Sequence, residues 1–279
     1  MTQPSSRVFQ KAWEKNIPLN VTIELSLKCN LKCSHCYNFN RAEPPPQVKN
    51  PLSPFQMHTL LEELHQAGTL IVSFTGGEPL LHPHIFDYIS YARKCHLVVR
   101  LKSNGTLLTK SLVKRLLQAG ANDIEISLYG ASPQTHEHIT QIPGSFKKTI
   151  QGIQNAKALG LLPKISLVLH HYCVEEFPQM IQLCDDLNVD YNLSTEITSR
   201  YDGTSSRRKL QLTPSDLWTL YSGPYSYLFK GHVNHRPSVQ CGCARVNCGI
   251  GSDGTVYPCI GAPIPSGSLH EKSFLDIWN

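Results

Sequence analysis

Seven of the ten cysteines in this 279-residue sequence fall into two groups, and three stand apart. Closely spaced thiolates bind iron-sulfur clusters or zinc, whereas the cysteines of secreted proteins form disulfides. The segment 1–17 is polar and lacks the apolar stretch of a secretory signal, so we expect a cytoplasmic protein with reduced cysteines. The two groups therefore indicate metal ligands. Their members are Cys29, Cys33 and Cys36 in the first, and Cys241, Cys243, Cys248 and Cys259 in the second.

The first group lies in a tight loop directly after a predicted strand. Three residues separate Cys29 from Cys33, and two separate Cys33 from Cys36. Three thiolates can hold three irons of a 4Fe-4S cluster and leave the fourth open, unlike the four-cysteine sets that close a cluster. A zinc loop is the alternative, and it would need His35 as a fourth ligand. The spacing predicts a cluster with an open iron that can bind something else.

Small and polar residues follow the next three predicted strands, at the edge of the sheet where the carboxyl ends of parallel strands meet. Paired glycines let the backbone pass close to a ligand, and a carboxylate can accept hydrogen bonds from an ammonium group. Each segment alone also fits an ordinary turn or cap. Their common position favours a ligand site. The residues are Gly76, Gly77, Glu78 and Pro79 after the second strand, Ser103 and Asn104 after the third, and Ser127 in the fourth.

Together, CxxxCxxC after the first strand and GGEP after the second resemble the signature of the radical S-adenosylmethionine (radical SAM) superfamily. The resemblance implies that the open iron chelates the amino and carboxylate groups of S-adenosylmethionine, and that Glu78 accepts hydrogen bonds from the same amine. It also implies further contacts to S-adenosylmethionine. These are expected from His35, Tyr37, Gly76, Gly77, Pro79, Ser103, Asn104 and Ser127.

The chemistry implied by this resemblance is radical formation. A flavodoxin- or ferredoxin-type partner reduces the cluster, S-adenosylmethionine is cleaved to methionine and a 5'-deoxyadenosyl radical, and the radical abstracts hydrogen from a substrate. The chain is then an oxidoreductase or maturase in which the protein holds the target hydrogen against the radical.

The second group resembles the start of a SPASM or twitch extension, in which two cysteines ligate an auxiliary 4Fe-4S cluster. The match covers Cys241 and the segment that ends in Cys259, where Asp253-Gly254 predicts a hairpin turn. Cys243 and Cys248 are additional to that pattern, and family members usually continue beyond this point to further cysteine ligands. A compact four-cysteine site, an incompletely ligated cluster in a truncated extension, and a four-cysteine zinc site all stay open.

The elements that position these residues are read from alternating apolar segments. Strand-like runs begin near Val21, Leu70, Leu97, Ile124, Ile165 and Tyr191, and helical patterns separate them. Six strands joined by five helical crossovers predict an α/β fold, a partial (β/α)6 barrel of the TIM type, with a small Cys-rich C-terminal extension. The predicted parts are an N-terminal lead 1–20, a radical SAM barrel 21–198, a bridge 199–240 and the extension 241–279.

Composition limits the class of partner. With 41% apolar and 17% charged residues the chain is long enough to bury a core, and no apolar run has the length of a membrane span. The net charge of +5 is scattered, so no nucleic-acid partner is indicated.

Enzymes with SPASM extensions most often modify ribosomally made peptides or protein side chains. The resemblance therefore implies a peptide- or protein-modifying maturase. Two alternatives stay open: a radical enzyme that acts on a small molecule such as a nucleoside, sugar or cofactor precursor, and a non-catalytic iron-sulfur or zinc-binding protein on the same scaffold.

Overall fold

One β-sheet organises the part of the chain that a computed structural model describes, which is residues 4–39, 41, 43, 47–201, 207–229 and 241–279. Within these residues the sheet has nine strands. They are β1 (Asn20–Glu24), β2 (Ile71–Thr75), β3 (Val98–Ser103), β4 (Asp123–Leu128), β5 (Leu162–Val168), β6 (Asp190–Ser194), β7 (Asn247–Ile250), β8 (Thr255–Tyr257) and β9 (Gly267–Ser268).

The first six strands lie side by side in chain order, and every pair among them is parallel. Each connection crosses back over the sheet through a helix, as parallel pairing requires. The sheet has two edges in the described residues, β6 and β9, so it stays open. The predicted partial (β/α)6 barrel with a Cys-rich extension is confirmed.

The helices pack outside the sheet, and several of them begin at capping residues that can be recognised in the sequence. Ser53 and Gln56 form a capping box at the start of α2, and Thr109 caps α4, which ends at Gly120 in the left-handed region. The helices are α1 (Pro4–Glu14), α2 (Pro54–Gln66), α3 (Ile85–Lys94), α4 (Lys110–Ala119), α5 (Pro133–Thr140), α6 (Ser145–Ala158), α7 (Phe177–Leu187), α8 (Arg207–Leu210), α9 (Pro214–Ser222) and α10 (Phe274–Trp278).

The two faces of the parallel strands differ in polarity because successive side chains point to opposite sides. Residues on the helix side, such as Val72, Leu101 and Ile126, are fully buried in the main hydrophobic core. Alternate residues such as Lys102 and Glu125 face the lumen of the open barrel and line its cavity. An apolar outer face and a polar lumen leave the lumen available for a ligand.

The C-terminal extension completes the sheet on the far side of β1. Strand β7 pairs with β1 in parallel, with Val21 opposite Cys248, and β8 and β9 follow as antiparallel strands. Helix α10 buries Phe274 in the main core, and the backbone N–H of Phe274 donates to Glu63 on α2 over 2.6 Å. The extension therefore shares the core of the barrel.

The predicted bridge 199–240 is described only in part. Residues 202–206 and 230–240 lie outside the described residues, while α8 and α9 lie between them. None of the helices described by the structure is long and apolar enough to span a membrane.

Candidate functional site

A cavity of about 390 Å³ opens at the carboxyl end of the parallel strands. It lies where the site was predicted, since loops at this end converge in α/β folds. Most of the predicted residues of the first site line it. These are Cys29, Cys33, His35, Cys36, Tyr37, Gly76, Gly77, Ser103, Asn104 and Ser127.

Backbone hydrogen bonds hold the cysteine loop in place. The N–H groups of Lys32 and Ser34 donate to the carbonyl oxygens of Thr140 and Ile139, over 3.0 and 2.9 Å. These carbonyls belong to the last turn of α5, where helix carbonyls lack partners within the helix. Arg200 adds a bond from Nε to the carbonyl oxygen of Cys36, over 3.2 Å. Helix α5 and Arg200 thus position the loop that presents the three thiols.

The three thiols line one cavity, and their surroundings favour metal binding. Burial raises the pKa of Cys29 and Cys33, and the nearby Arg41 cation opposes this rise. A buried neutral thiol has few hydrogen-bonding alternatives, and a metal that replaces its proton relieves the cost of burying a thiolate. Such a donor set suits an iron-sulfur cluster with one open iron.

His35 lies between the cysteines but does not join them around a single ion. Its ring packs against Tyr129, with centroids 4.6 Å apart, and its Nδ1 is buried without a hydrogen-bond partner. Among the described residues, no three His, Cys, Asp or Glu side chains converge as ligands of one metal ion. The orphaned Nδ1 of His35 points to a polar ligand beside the cysteine loop.

The glycine pair packs directly against the start of the cysteine loop. Gly76 has a φ of 127°, and a Cβ on Gly77 would lie 2.1 Å from the carbonyl oxygen of Lys28. The backbone N–H groups of Gly77 and Glu78 donate to Ser26 and Lys28, over 2.7 and 2.8 Å. Only glycine fits at these positions, because a side chain would collide with the backbone of the cysteine loop. The glycine pair thus lets β2 and the cysteine loop lie in contact at the cavity wall.

Glu78 and Pro79 lie behind this wall and are absent from the residues that line the cavity. Both are buried, and Pro79 begins a short 3₁₀ turn. The Glu78 carboxylate accepts hydrogen bonds from the N–H of Asn104, the N–H of Leu80 and the hydroxyl of Ser103, over 2.9, 3.1 and 2.9 Å. Desolvation raises its pKa to about 7. The structure thus presents the backbone of the glycine pair to the cavity, and Glu78 braces the residues beside it.

Further residues that no motif indicates line the cavity. Lys102 on β3 and Glu125 on β4 face the lumen, and the Lys102 Nζ and Glu125 Oε1 atoms are 3.9 Å apart. Glu196 and Tyr129 also line the cavity. Arg41 reaches the cavity from the segment after the cysteine loop. The alternation of charged and apolar residues along β3 and β4 is a signal that could have identified the first two residues.

In the second cysteine group, the Cys243 thiol contacts the thiols of Cys241 and Cys259, and Cys248 stays in the core. The Sγ of Cys241 donates to Sγ of Cys243 over 2.9 Å, and Cys243 also contacts Cys259. Burial is the main cause that raises the pKa of Cys243 to about 12. Cys248 is buried in the main core, where its thiol donates to the carbonyl of Tyr257 over 3.5 Å.

The chain that directly follows the second cysteine group borders the same cavity as the first group. Ile260 and Gly261, which directly follow Cys259, form part of the cavity wall. The Asp253-Gly254 turn predicted between β7 and β8 is present, and Gly254 has a φ of 79°. The hairpin therefore delivers Cys259 to the edge of the first site.

Comparison with known families gives two matches. The radical SAM superfamily matches residues 23–184, which is more than half of the chain, and an iron-sulfur cluster-binding domain, SPASM, matches residues 241–279.

Among characterised proteins, the AdoMet-dependent heme synthase of Methanosarcina barkeri is 26% identical over 251 residues, 78% of this chain and 70% of the relative. The mycofactocin maturase MftC of Mycobacterium tuberculosis is 26% identical over 299 aligned positions, 100% of this chain and 75% of the relative.

Among solved structures, SuiB of Streptococcus suis bound to S-adenosylmethionine superposes with a TM-score of 0.73 at 20% identity, covering 98% of this chain and 69% of SuiB. SuiB has also been solved with its precursor peptide SuiA, and that structure superposes with a TM-score of 0.68. The likeness to SuiB shows a shared fold. The family match, together with the three thiols and the glycine pair around one cavity, identifies this chain as a member of the radical SAM superfamily.

Proposed function

We propose that Cys29, Cys33 and Cys36 hold a 4Fe-4S cluster and that S-adenosylmethionine binds to it in the cavity. The observation that carries this proposal is the shared cavity, in which the three thiols face the backbone of Gly76 and Gly77. When bound and reduced, the cluster supplies the electron that cleaves S-adenosylmethionine to methionine and a 5'-deoxyadenosyl radical.

The residues around the cavity have separate tasks in this proposal. Ser103, Asn104 and Ser127 offer hydroxyl and amide groups for the polar parts of S-adenosylmethionine. His35 and Tyr37 border the same space. The rings and apolar side chains of the wall exclude water from the radical, which protects it from side reactions.

We assign the chain to the peptide- or protein-modifying enzymes of the superfamily, working in the cytoplasm with a flavodoxin- or ferredoxin-type electron donor. MftC, which aligns over the whole chain, is named a maturase, and SuiB has been crystallised with a precursor peptide. The SPASM match at residues 241–279 supports the same assignment. In this reading, residues 21–198 form the radical SAM barrel, 199–240 the bridge and 241–279 an extension for a second cluster.

One observation favours a second candidate, a radical enzyme that acts on a small molecule. The relative from Methanosarcina barkeri is named a heme synthase and aligns over 78% of this chain. The two candidate functions can be distinguished by the substrate that the protein modifies. A short peptide encoded beside the gene should lose or exchange hydrogen in the presence of S-adenosylmethionine and reductant, as seen by mass spectrometry. Turnover of a porphyrin and not of the peptide would favour the small-molecule enzyme.

The first test is cluster chemistry. Anaerobically reconstituted protein should release 5'-deoxyadenosine when it receives dithionite and S-adenosylmethionine, because three thiols leave one iron for that ligand. Replacing any one of Cys29, Cys33 and Cys36 by Ala should abolish the release. Cys95→Ala is the matched control, since this half-buried cysteine caps the end of α3, is not among the residues that line the cavity, and should keep full activity. Undiminished release from any of the three variants would contradict the proposal.

The same variants test the second site. A chain with two cubane clusters carries about eight irons, and a variant without Cys29, Cys33 and Cys36 should keep about four. Cys259→Ala should lower the amount of iron that remains in this variant. Cys248→Ala should not change it, because the Cys248 thiol is buried in the hydrophobic core. Zinc in place of the remaining iron would favour the zinc site, and equal losses from both variants would favour a four-cysteine site.

A further inference from the structure

The guanidinium of Arg41 is hydrogen-bonded to a thiol of the first cysteine group. Its Nε donates to Sγ of Cys36 over 3.1 Å, and its Nη1 donates to the carbonyl oxygen of Leu27 over 2.7 Å. Its Nη2 lies 3.5 Å from Oδ1 of Asn38, and its plane lies over the ring of Phe39, 4.2 Å from the centroid. Several directional contacts therefore hold this cation against the sulfur.

The direction of the effect on a cluster follows from charge. Reduction adds one electron to the cluster and makes its sulfur ligands more negative. A cationic N–H donor on such a sulfur stabilises the reduced form more than the oxidised form, and hydrogen bonds to the sulfurs are among the factors that set cluster potentials. Arginine stays charged across the accessible pH range, so this stabilisation does not depend on a protonation event.

We propose that Arg41 raises the reduction potential of the cluster bound by the first cysteine group, through its hydrogen bond to the sulfur of Cys36. The inference rests on the proposed function, because it requires that cluster. Arg41 acts through Cys36 and makes no contact with the substrate in this role. It makes the cluster easier to reduce by a flavodoxin- or ferredoxin-type donor, and so determines which donors are strong enough.

The chain offers a matched control for charge. Lys32 lies in the same loop, between Cys29 and Cys33, but its side chain is exposed. Lys32→Gln and Arg41→Gln each remove one positive charge near the cluster, and only Arg41→Gln removes the bond to Cys36. Arg41→Lys keeps the charge and loses the planar fork that spans Cys36 and Leu27.

The experiment is a redox titration of the reconstituted full-length protein, followed by electron paramagnetic resonance. The signal that changes when S-adenosylmethionine is added identifies this cluster and separates it from any second one. We expect the equilibrium constant for reduction of the cluster to be about tenfold lower in Arg41→Gln than in the wild type. This corresponds to a potential about 59 mV more negative for a one-electron couple. Arg41→Lys should shift in the same direction by less, and Lys32→Gln should match the wild type.

Iron content distinguishes failure of this inference from failure of the proposed function. Wild-type protein that takes up no cluster would overturn the function. A cluster whose potential is unchanged in both Arg41 variants, or shifted equally in Arg41→Gln and Lys32→Gln, would overturn the inference. If Arg41→Gln loses iron, Arg41→Lys decides by its potential, and loss of iron from both variants would show that Arg41 assembles the site and does not tune it.

Discussion

The carboxyl group of Glu78 has hydrogen-bond partners within the protein. The family resemblance implies that it also faces an ammonium group, and that contact stays a prediction. In the structure it is fully buried, and three donors from Leu80, Ser103 and Asn104 occupy its oxygens. A buried carboxylate is retained only when such donors offset its desolvation. Its contacts tie the end of β2 to the end of β3.

Glu78→Ala should therefore weaken S-adenosylmethionine binding indirectly. The change leaves the donors of Leu80, Ser103 and Asn104 without this acceptor, and a buried group in that state, such as the Ser103 hydroxyl, costs about 1–3 kcal/mol. We expect a lower melting temperature together with roughly tenfold weaker binding, which is about 1.4 kcal/mol. Calorimetric titration and thermal unfolding measure the two effects. Weaker binding with unchanged stability would instead show a direct contact between Glu78 and the ligand.

At this scale, the sequence predicted many of the residues that surround the cavity, but it did not predict the hydrogen bonds that hold them. The thiols, the glycine pair and Asn104 are recognisable from spacing and from their positions after strands. The inward or outward direction of Glu78 depends on the turn after Gly77, and Arg41 has no spacing signal at all. Both depend on tertiary contacts that a local pattern does not contain.

Among the elements, the junction of β2 with the cysteine loop is the most tightly constrained. Gly77→Ala should disrupt it, since the added Cβ would lie 2.1 Å from a backbone oxygen that cannot move freely. We expect loss of iron from the first site and a lower melting temperature. Gly160→Ala is the control: its Cβ would meet no atom within 4 Å, and its φ of 84° adds only backbone strain. That strain costs about 1–2 kcal/mol. Full iron content in Gly77→Ala would contradict this account.

The long elements were predictable because their signals are local. Helix α2 (Pro54–Gln66) begins at a capping box that is readable from its sequence, and all six barrel strands begin within a few residues of their predicted starts. Helix α5 was missed because its eight residues are mostly polar, although Ser132 caps it and Pro133 begins it. The pairing of β7 with β1 joins residues far apart in the chain, and no local pattern indicates it.

The whole molecule should lose stability in acid through its buried histidines. Burial lowers the pKa values of His136 and His170 from 6.5 to about 4. Between these pH values the two histidines are protonated in the unfolded chain and neutral in the folded chain. Their contribution to the free energy of unfolding is therefore complete above pH 6.5 and is lost as the pH falls toward 4. Each histidine contributes on the order of 1–3 kcal/mol to the difference.

Denaturant unfolding across this pH range tests the effect. His170→Gln should lose less stability on acidification than the wild type, because the unfolded variant has one histidine fewer to protonate. His84→Gln changes an exposed histidine and should follow the wild-type curve. Parallel curves for His170→Gln and the wild type would mean that His170 takes up its proton at the same pH in the folded and unfolded chains.

The pairing of β1 with β7 also has a consequence for synthesis. Asn20 lies opposite Asn247, so β1 cannot complete its hydrogen bonds until β7 has been made. Such non-local pairing slows folding and leaves an exposed strand edge in the meantime. The cysteine loop follows that strand directly. A nascent chain therefore holds its thiols beside an unfinished sheet until β7 pairs with β1.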